Sequence, residues 1–143
     1  MKSSTAYYIK LYLLTFLGFF VIDMIWLGII APSFYRKHIG FLLSPQPNWI
    51  PAIIFYLVFV GGLMVFVVLP GIRSQSLKKT AILGVIYGII TYGTYDLTNL
   101  ATIEDWPILV TVVDMIWGVF LSVSVATIGY FAGTRILTPT LNN

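Results

Sequence analysis

The chain has 143 residues, of which 59% are hydrophobic and only 9% are charged. A soluble domain carries about 25% charged residues, so this composition excludes an ordinary soluble protein and indicates an integral membrane protein. With no cysteine and a single histidine, His38, the sequence offers neither a disulfide nor a thiolate or multi-histidine metal site. The net charge of +3 is distributed as expected for membrane topology, which argues against nucleic-acid binding.

Four apolar runs have the length of membrane-spanning helices, which need about 20 residues each. Because the first run follows a basic start and lacks a small-residue cleavage site, we expect a retained helix rather than a signal peptide. Pro32 is expected to stop the first span and Pro70 the second, whereas Pro107 is expected to precede the fourth. The predicted spans cover roughly residues 6–30, 50–69, 80–100 and 108–137.

The short connections between these spans predict an all-α fold. We expect one integral membrane four-helix bundle over residues 1–143, with successive helices antiparallel. Gly84 and Gly88 lie four residues apart, a spacing that lets a neighbouring helix approach closely. Gly61 and Gly62 of the second span are their expected partner.

The positive charges predict the orientation of the bundle, because cytoplasmic loops are enriched in lysine and arginine. Six cations fall at the two termini and in the loop between the second and third spans, whereas only Arg36 and Lys37 fall on the opposite side. This distribution places both termini in the cytoplasm. The six are Lys2, Lys10, Arg73, Lys78, Lys79 and Arg135.

Three aspartates, Asp23, Asp96 and Asp114, lie inside predicted spans. Counting from the outer helix ends, each lies about 5–10 Å below the interface. A lone aspartate at the centre of a membrane helix costs a few kcal/mol, so these three are expected to face each other or a water-filled cavity. They are the candidate catalytic residues. The structural alternative is that they only link helices by hydrogen bonds, worth about 0.6 kcal/mol each.

Polar and aromatic residues lie within one or two helical turns of these aspartates and are predicted to line a ligand pocket. Most belong to the third span, and two tryptophans lie one turn from Asp23 and Asp114. The predicted ligand-binding residues are Asn99, Tyr92, Tyr95, Thr98, Trp26 and Trp117.

Two features leave more than one interpretation open. The tetrapeptide Asp-Met-Ile-Trp occurs at residues 23–26 and again at 114–117, either as the same local chemistry used twice or by chance. Residues 34–43 have an amphipathic pattern, which is consistent with a segment on the outer membrane surface or with one folded over the pocket.

Three motifs carry a resemblance to a known family. These are DxxWLG at residues 23–28, TYGTYDLTNLAT at 91–102 and DxxWG at 114–118. The chain resembles, over its whole length, a family of small bacterial four-helix membrane proteins that is catalogued only as a domain of unknown function. The resemblance implies a bacterial inner-membrane location and a genetic setting near lipid-modifying enzymes, and it implies no activity or cofactor.

The leading functional hypothesis is a pocket of carboxylates on the outer side of the membrane. It would bind a small ligand, a cation or a lipid headgroup, with lipid modification as one outcome, and its partners would be membrane lipids. A proton- or cation-coupled transporter is the first alternative. The inner halves of the spans carry few polar groups, and four helices are few for a transport path, although a homodimer could line one. The second alternative is a non-catalytic scaffold or partner subunit.

Overall fold

The computed structural model describes residues 2–137, with side chains from residue 5 onward. All regular secondary structure in this range is helical. The all-α prediction is therefore confirmed.

The first helical segment is longer than predicted, because Pro32 does not end it. Pro32 instead lies in the first turn of a second helix, directly after a wider π-helical turn that contains Gly28. In a regular α-helix the proline ring would clash with the carbonyl of residue 28, and the wider turn alters that contact. The segment comprises α1 (Lys2–Ile25), the π-helical turn Trp26–Ile30, α2 (Ala31–Ile39) and the 3-10 turn Gly40–Leu42.

The second segment repeats this pattern. Its α3 (Trp49–Leu63) continues through the π-helical turn Met64–Val68 into α4 (Leu69–Arg73). The predicted stop at Pro70 is wrong for the same reason, since this proline lies in the first turn of α4.

The third and fourth segments agree with their predicted positions. The third is α5 (Leu77–Thr102), whose first turn is capped by Ser76, which accepts a hydrogen bond from the backbone N–H of Lys79 at 3.1 Å. The fourth is α6 (Ile108–Phe131), which is extended by the π-helical turn Ala132–Ile136.

Three of these segments are long and apolar enough to cross a membrane: Thr5–Leu42, Trp49–Arg73 and Ile108–Ile136. Helix α5 is long enough at 26 residues but is not among them, because its second half carries polar side chains such as Asp96 and Asn99. The four-span prediction is thus supported for three helices. The crossing by α5 stays a prediction.

Helix α6 is central to the packing, with its most extensive contacts against α5 and α1. The α5–α6 contact depends on glycine. A Cβ atom on Gly88 would lie 2.7 Å from both the carbonyl oxygen of Gly118 and the Cα of Val119, and one on Gly84 would lie 3.1 Å from the Cα of Val123. The backbones therefore approach more closely than any larger residue would allow.

The prediction that Gly84 and Gly88 pack against Gly61 and Gly62 was wrong. Gly62 faces the Tyr87 hydroxyl of α5, and a Cβ atom on Gly61 would meet nothing within 4 Å. Tyr87 donates a hydrogen bond to the Phe59 carbonyl at 2.8 Å, and Tyr12 donates one to the Leu57 carbonyl at 2.9 Å. Tyrosine–backbone bonds therefore help to join α3 to α5 and α1.

The close α5–α6 contact predicts that alanine substitutions at Gly88 and Gly61 have different effects on stability. Gly88→Ala should lower the free energy of unfolding by about 1–3 kcal/mol, because the added methyl group meets the α6 backbone. Gly61→Ala should be neutral or stabilise by up to about 1 kcal/mol, because alanine favours a helix and has space here. Thermal unfolding of both variants in one detergent measures the difference. Equal melting temperatures would contradict the close α5–α6 contact.

Candidate functional site

The three aspartates come from α1, α5 and α6 and are all buried, with exposed fractions of 5% for Asp23, 0% for Asp96 and 6% for Asp114. We call them the carboxylate cluster. Asp96 lies six residues before the end of α5, and Asp114 lies six residues after the start of α6. Both are therefore about 9 Å along their helices from the loop at residues 103–107.

Asp96 and Asp114 interact directly across the α5–α6 contact. Both carboxylate oxygens of Asp96 are buried and have no hydrogen-bond partner among the described residues. An ionised carboxylate in this position is strongly unfavourable unless it is paired. Asp96 therefore requires a proton, a cation or a hydrogen-bond donor from outside the described part of the chain.

Asp114 has a partner from α2, because the Tyr35 hydroxyl donates a hydrogen bond to its Oδ1. Ile39, at the end of α2, packs against Trp106 and Val110 and so holds this helix near the start of α6. Of the two interpretations of residues 34–43, the structure therefore supports the one in which this segment folds over the cluster.

Asp23 lies beside the Tyr56 hydroxyl of α3 and the Trp117 indole of α6. Trp117 in turn stacks on Trp26, with ring centroids 4.4 Å apart and planes inclined by 11°. The two copies of Asp-Met-Ile-Trp therefore meet across the α1–α6 contact, and the aspartate of one lies next to the tryptophan of the other.

Tyr92 occupies the space between the aspartates and interacts electrostatically with all three. A Cβ atom on Gly118 would overlap its ring, so the glycine makes room for Tyr92 against α6. A chain of hydrogen bonds from the loop at residues 103–107 ends at the backbone of Asp96. Trp106 donates to Thr111 at 3.0 Å, and Thr111 donates to the backbone carbonyl of Asp96 at 3.3 Å.

A cavity of about 320 Å³ lies against the cluster, and the only carboxylate among its lining residues is Asp114. Phe55 of α3 and Tyr95 of α5 are 49% and 56% exposed, so the cavity opens to the surface of the molecule between these two helices. The lining residues are Phe55, Thr91, Tyr92, Tyr95 and Asp114.

The structure brings together most of the residues that the sequence had suggested. Asn99 is partly buried and lies beside Tyr95. Thr98 does not join the cluster. It is exposed, and its hydroxyl donates to the carbonyls of Thr94 and Tyr95 in its own helix, the latter at 2.9 Å.

Sequence reasoning missed Tyr35, Tyr56 and Phe55. Tyr35 lies beyond the expected stop at Pro32, in the segment that the sequence allowed to fold over the pocket, and nothing in the pattern paired it with Asp114. Tyr56 and Phe55 lie in a uniformly apolar run, where nothing in the pattern distinguishes them from residues that face lipid.

Within residues 2–137, no three His, Cys, Asp or Glu side chains are gathered closely enough to hold a metal ion. The three carboxyl groups nevertheless all interact with one side chain, that of Tyr92.

The features above define a class: a helical membrane protein with carboxyl groups buried between its helices. Residues 8–131 match the model of the family described as "Predicted membrane protein (DUF2177)", and the chain belongs to that family. The resemblance seen in the three motifs is thereby confirmed. No curated protein and no solved structure matches the chain.

The Tyr35 contact predicts that Tyr35→Phe destabilises the protein. Loss of the donor leaves a buried carboxylate oxygen of Asp114 without its partner, which should lower the free energy of unfolding by about 1–3 kcal/mol. Tyr8→Phe, at an exposed tyrosine of α1, is the matched control and should change stability little. Thermal unfolding in detergent compares the two. A Tyr35→Phe variant as stable as Tyr8→Phe would show that α2 does not hold the cluster.

Proposed function

We propose that this protein binds a small polar or positively charged group, borne by a membrane-associated ligand, in the cavity beside Asp114. The observation that carries the proposal is the direct interaction between Asp96, which is fully buried and meets no hydrogen-bond donor among the described residues, and Asp114, which lines the cavity. Asp114 would contact the ligand. Asp96 and Asp23 would supply the negative charge behind it.

A purely structural role explains this arrangement less well. Polar side chains that link helices are expected to be hydrogen-bonded to them, as Asp114 is to Tyr35. Asp96 meets no hydrogen-bond donor among the described residues and interacts instead with a second carboxyl group, Asp114, while the α5–α6 contact beside it is already made by glycine packing. Two carboxyl groups buried against each other would weaken a scaffold, whereas they would supply negative charge to a bound cationic group.

The proposal includes a candidate catalytic function for the same site, which is the modification of a bound lipid. Two carboxyl groups in contact can hold one proton between them, and such a pair can act as general acid and base. Asp114 is the member that reaches the cavity, so it would exchange a proton with a bound headgroup. Asp96 would act through Asp114.

The membrane arrangement that fits this site has four crossing helices in a bacterial inner membrane and both termini in the cytoplasm. The distribution of lysine and arginine supports it. In this arrangement the cluster lies near the outer surface, at the depth of lipid headgroups. Transport is less well supported, because the described buried side chains away from the cluster include hydroxyl groups, such as those of Thr15 and Ser122, but no acidic or basic group that would carry a proton or a cation.

Native mass spectrometry of the protein purified in mild detergent tests ligand binding. The wild type should carry a discrete adduct, and a variant with Asp23→Asn, Asp96→Asn and Asp114→Asn should lack it while remaining folded. The control is Glu104→Gln with Asp105→Asn, which removes charge from the exposed loop and should keep the adduct. A triple variant that keeps the adduct would refute the site. No adduct on the wild type, together with unfolding of the triple variant, would instead favour the scaffold role.

The proposed orientation is tested by cysteine labelling, for which a chain without cysteine gives no background. Ser44→Cys lies in the loop after α2, and Ser74→Cys lies in the loop after α4. A membrane-impermeant maleimide should label the first in intact spheroplasts and the second only after permeabilisation. The reverse pattern would invert the orientation, and labelling of both in intact spheroplasts would contradict a single membrane crossing between the two loops.

A further inference from the structure

The described residues place no basic side chain in contact with the carboxylate cluster. The side chains that contact it are the hydroxyls of Tyr35 and Tyr56, the Trp117 indole and the central Tyr92. No lysine, arginine or histidine is among them. Carboxyl groups with no cation beside them disfavour direct contact with an anion and attract a positive group.

The walls of the cavity are mainly aromatic, with the rings of Phe55, Tyr92 and Tyr95 beside the Asp114 carboxylate. A cationic group is attracted to the face of an aromatic ring within about 6 Å. Ca²⁺, in contrast, takes about six to eight oxygen ligands, more than the one carboxylate and three hydroxyl groups of this lining provide. The lining therefore favours an organic cation over a metal ion.

The acceptor groups favour a primary ammonium. Asp114 uses one oxygen for Tyr35, which leaves acceptor capacity toward the cavity. Thr91 donates its hydroxyl proton to the Tyr87 carbonyl at 2.8 Å, so its oxygen can only accept from a ligand. A primary ammonium has three N–H donors for these acceptors, whereas a quaternary ammonium has none.

The size and position of the cavity restrict the ligand further. A volume of about 320 Å³ is at the small end of the range for ligand sites, about 300–1,000 Å³. It accommodates a headgroup and not a whole lipid. The opening between Phe55 and Tyr95 leaves room for the rest of a lipid to remain outside the protein.

We infer that the group bound beside Asp114 is a primary ammonium, of the kind carried by an ethanolamine lipid headgroup or by free ethanolamine. This inference rests on the proposed function and names its ligand class. Asp114 accepts the N–H bonds, and the rings of Phe55, Tyr92 and Tyr95 enclose the charge.

A titration followed by native mass spectrometry tests the ligand class. The probes are dihexanoyl phosphatidylethanolamine, dihexanoyl phosphatidylcholine, dihexanoyl phosphatidylglycerol and free ethanolamine, each added to detergent-purified protein. The wild type should bind the ethanolamine lipid at least about tenfold more tightly than the glycerol lipid, with the choline lipid between them. Free ethanolamine that binds as tightly as its lipid would identify a soluble amine as the source, and weaker binding would identify the lipid.

Variants separate the carboxylate from the aromatic wall. Asp114→Asn should abolish the preference for the ethanolamine lipid, whereas Asp105→Asn, at an exposed loop aspartate, should keep it. Phe55→Leu should weaken binding about fivefold and keep the fold, because Phe55 is half exposed. Phe66→Leu is its control, since Phe66 is an exposed phenylalanine of the same segment outside this cavity.

The outcomes distinguish this inference from the proposed function. Equal binding of the glycerol and ethanolamine lipids, or unchanged ethanolamine binding in both Asp114→Asn and Phe55→Leu, would overturn the ammonium assignment. If the glycerol lipid bound in an Asp114-dependent manner, the site would stand and only its ligand class would fall. Binding of no probe, with no co-purified adduct on the wild type, would overturn both.

Discussion

A carboxylate inside an apolar helical protein must be paired, and this requirement organises one end of the molecule. Asp114 is met by the Tyr35 hydroxyl, and Asp23 lies beside Tyr56 and Trp117. These partners come from α2, α3 and α6, so the aspartates draw several helices toward one place. Asp96 is the exception, because its two oxygens meet no hydrogen-bond donor in the described chain and its direct interaction is with a second carboxyl group, Asp114. The surrounding helices therefore provide donors to Asp23 and Asp114 but not to Asp96.

The glycines of α5 and α6 make this pairing possible. Gly88 lets the two backbones touch, and Gly118 accepts the ring of Tyr92. With larger residues at these positions the helices would separate, and Asp96 would lose its contact with Asp114. The same close approach buries both groups away from water, where electrostatic interactions are stronger and an unpaired charge is less tolerable. The close packing of α5 and α6 therefore also determines the electrostatic environment of the two carboxyl groups.

The π-helical turns decide which side chains reach the cluster. Each of the first two comes directly before a helix whose first turn contains proline, at Pro32 and Pro70. A wider turn lets the chain continue as a helix where a regular one would break, and it changes the direction in which the following residues point. Beyond the first of these turns, Tyr35 faces Asp114. A helix that ended at Pro32 would have left Asp114 without this donor.

The sequence alone was sufficient for the helical class, the positions of α5 and α6, and the burial of the three aspartates, because hydrophobic runs and the acidic residues within them are local signals. Spacing along the helices also predicted which residues lie close together, namely Asp23, Asp96, Tyr92, Trp26 and Trp117. The tertiary structure alone showed the continuation through Pro32 and Pro70, the pairing of Gly88 with α6, and the roles of Tyr35, Tyr56 and Phe55. These depend on which helix faces which, and an apolar run in lipid carries no polar face that would reveal its neighbours.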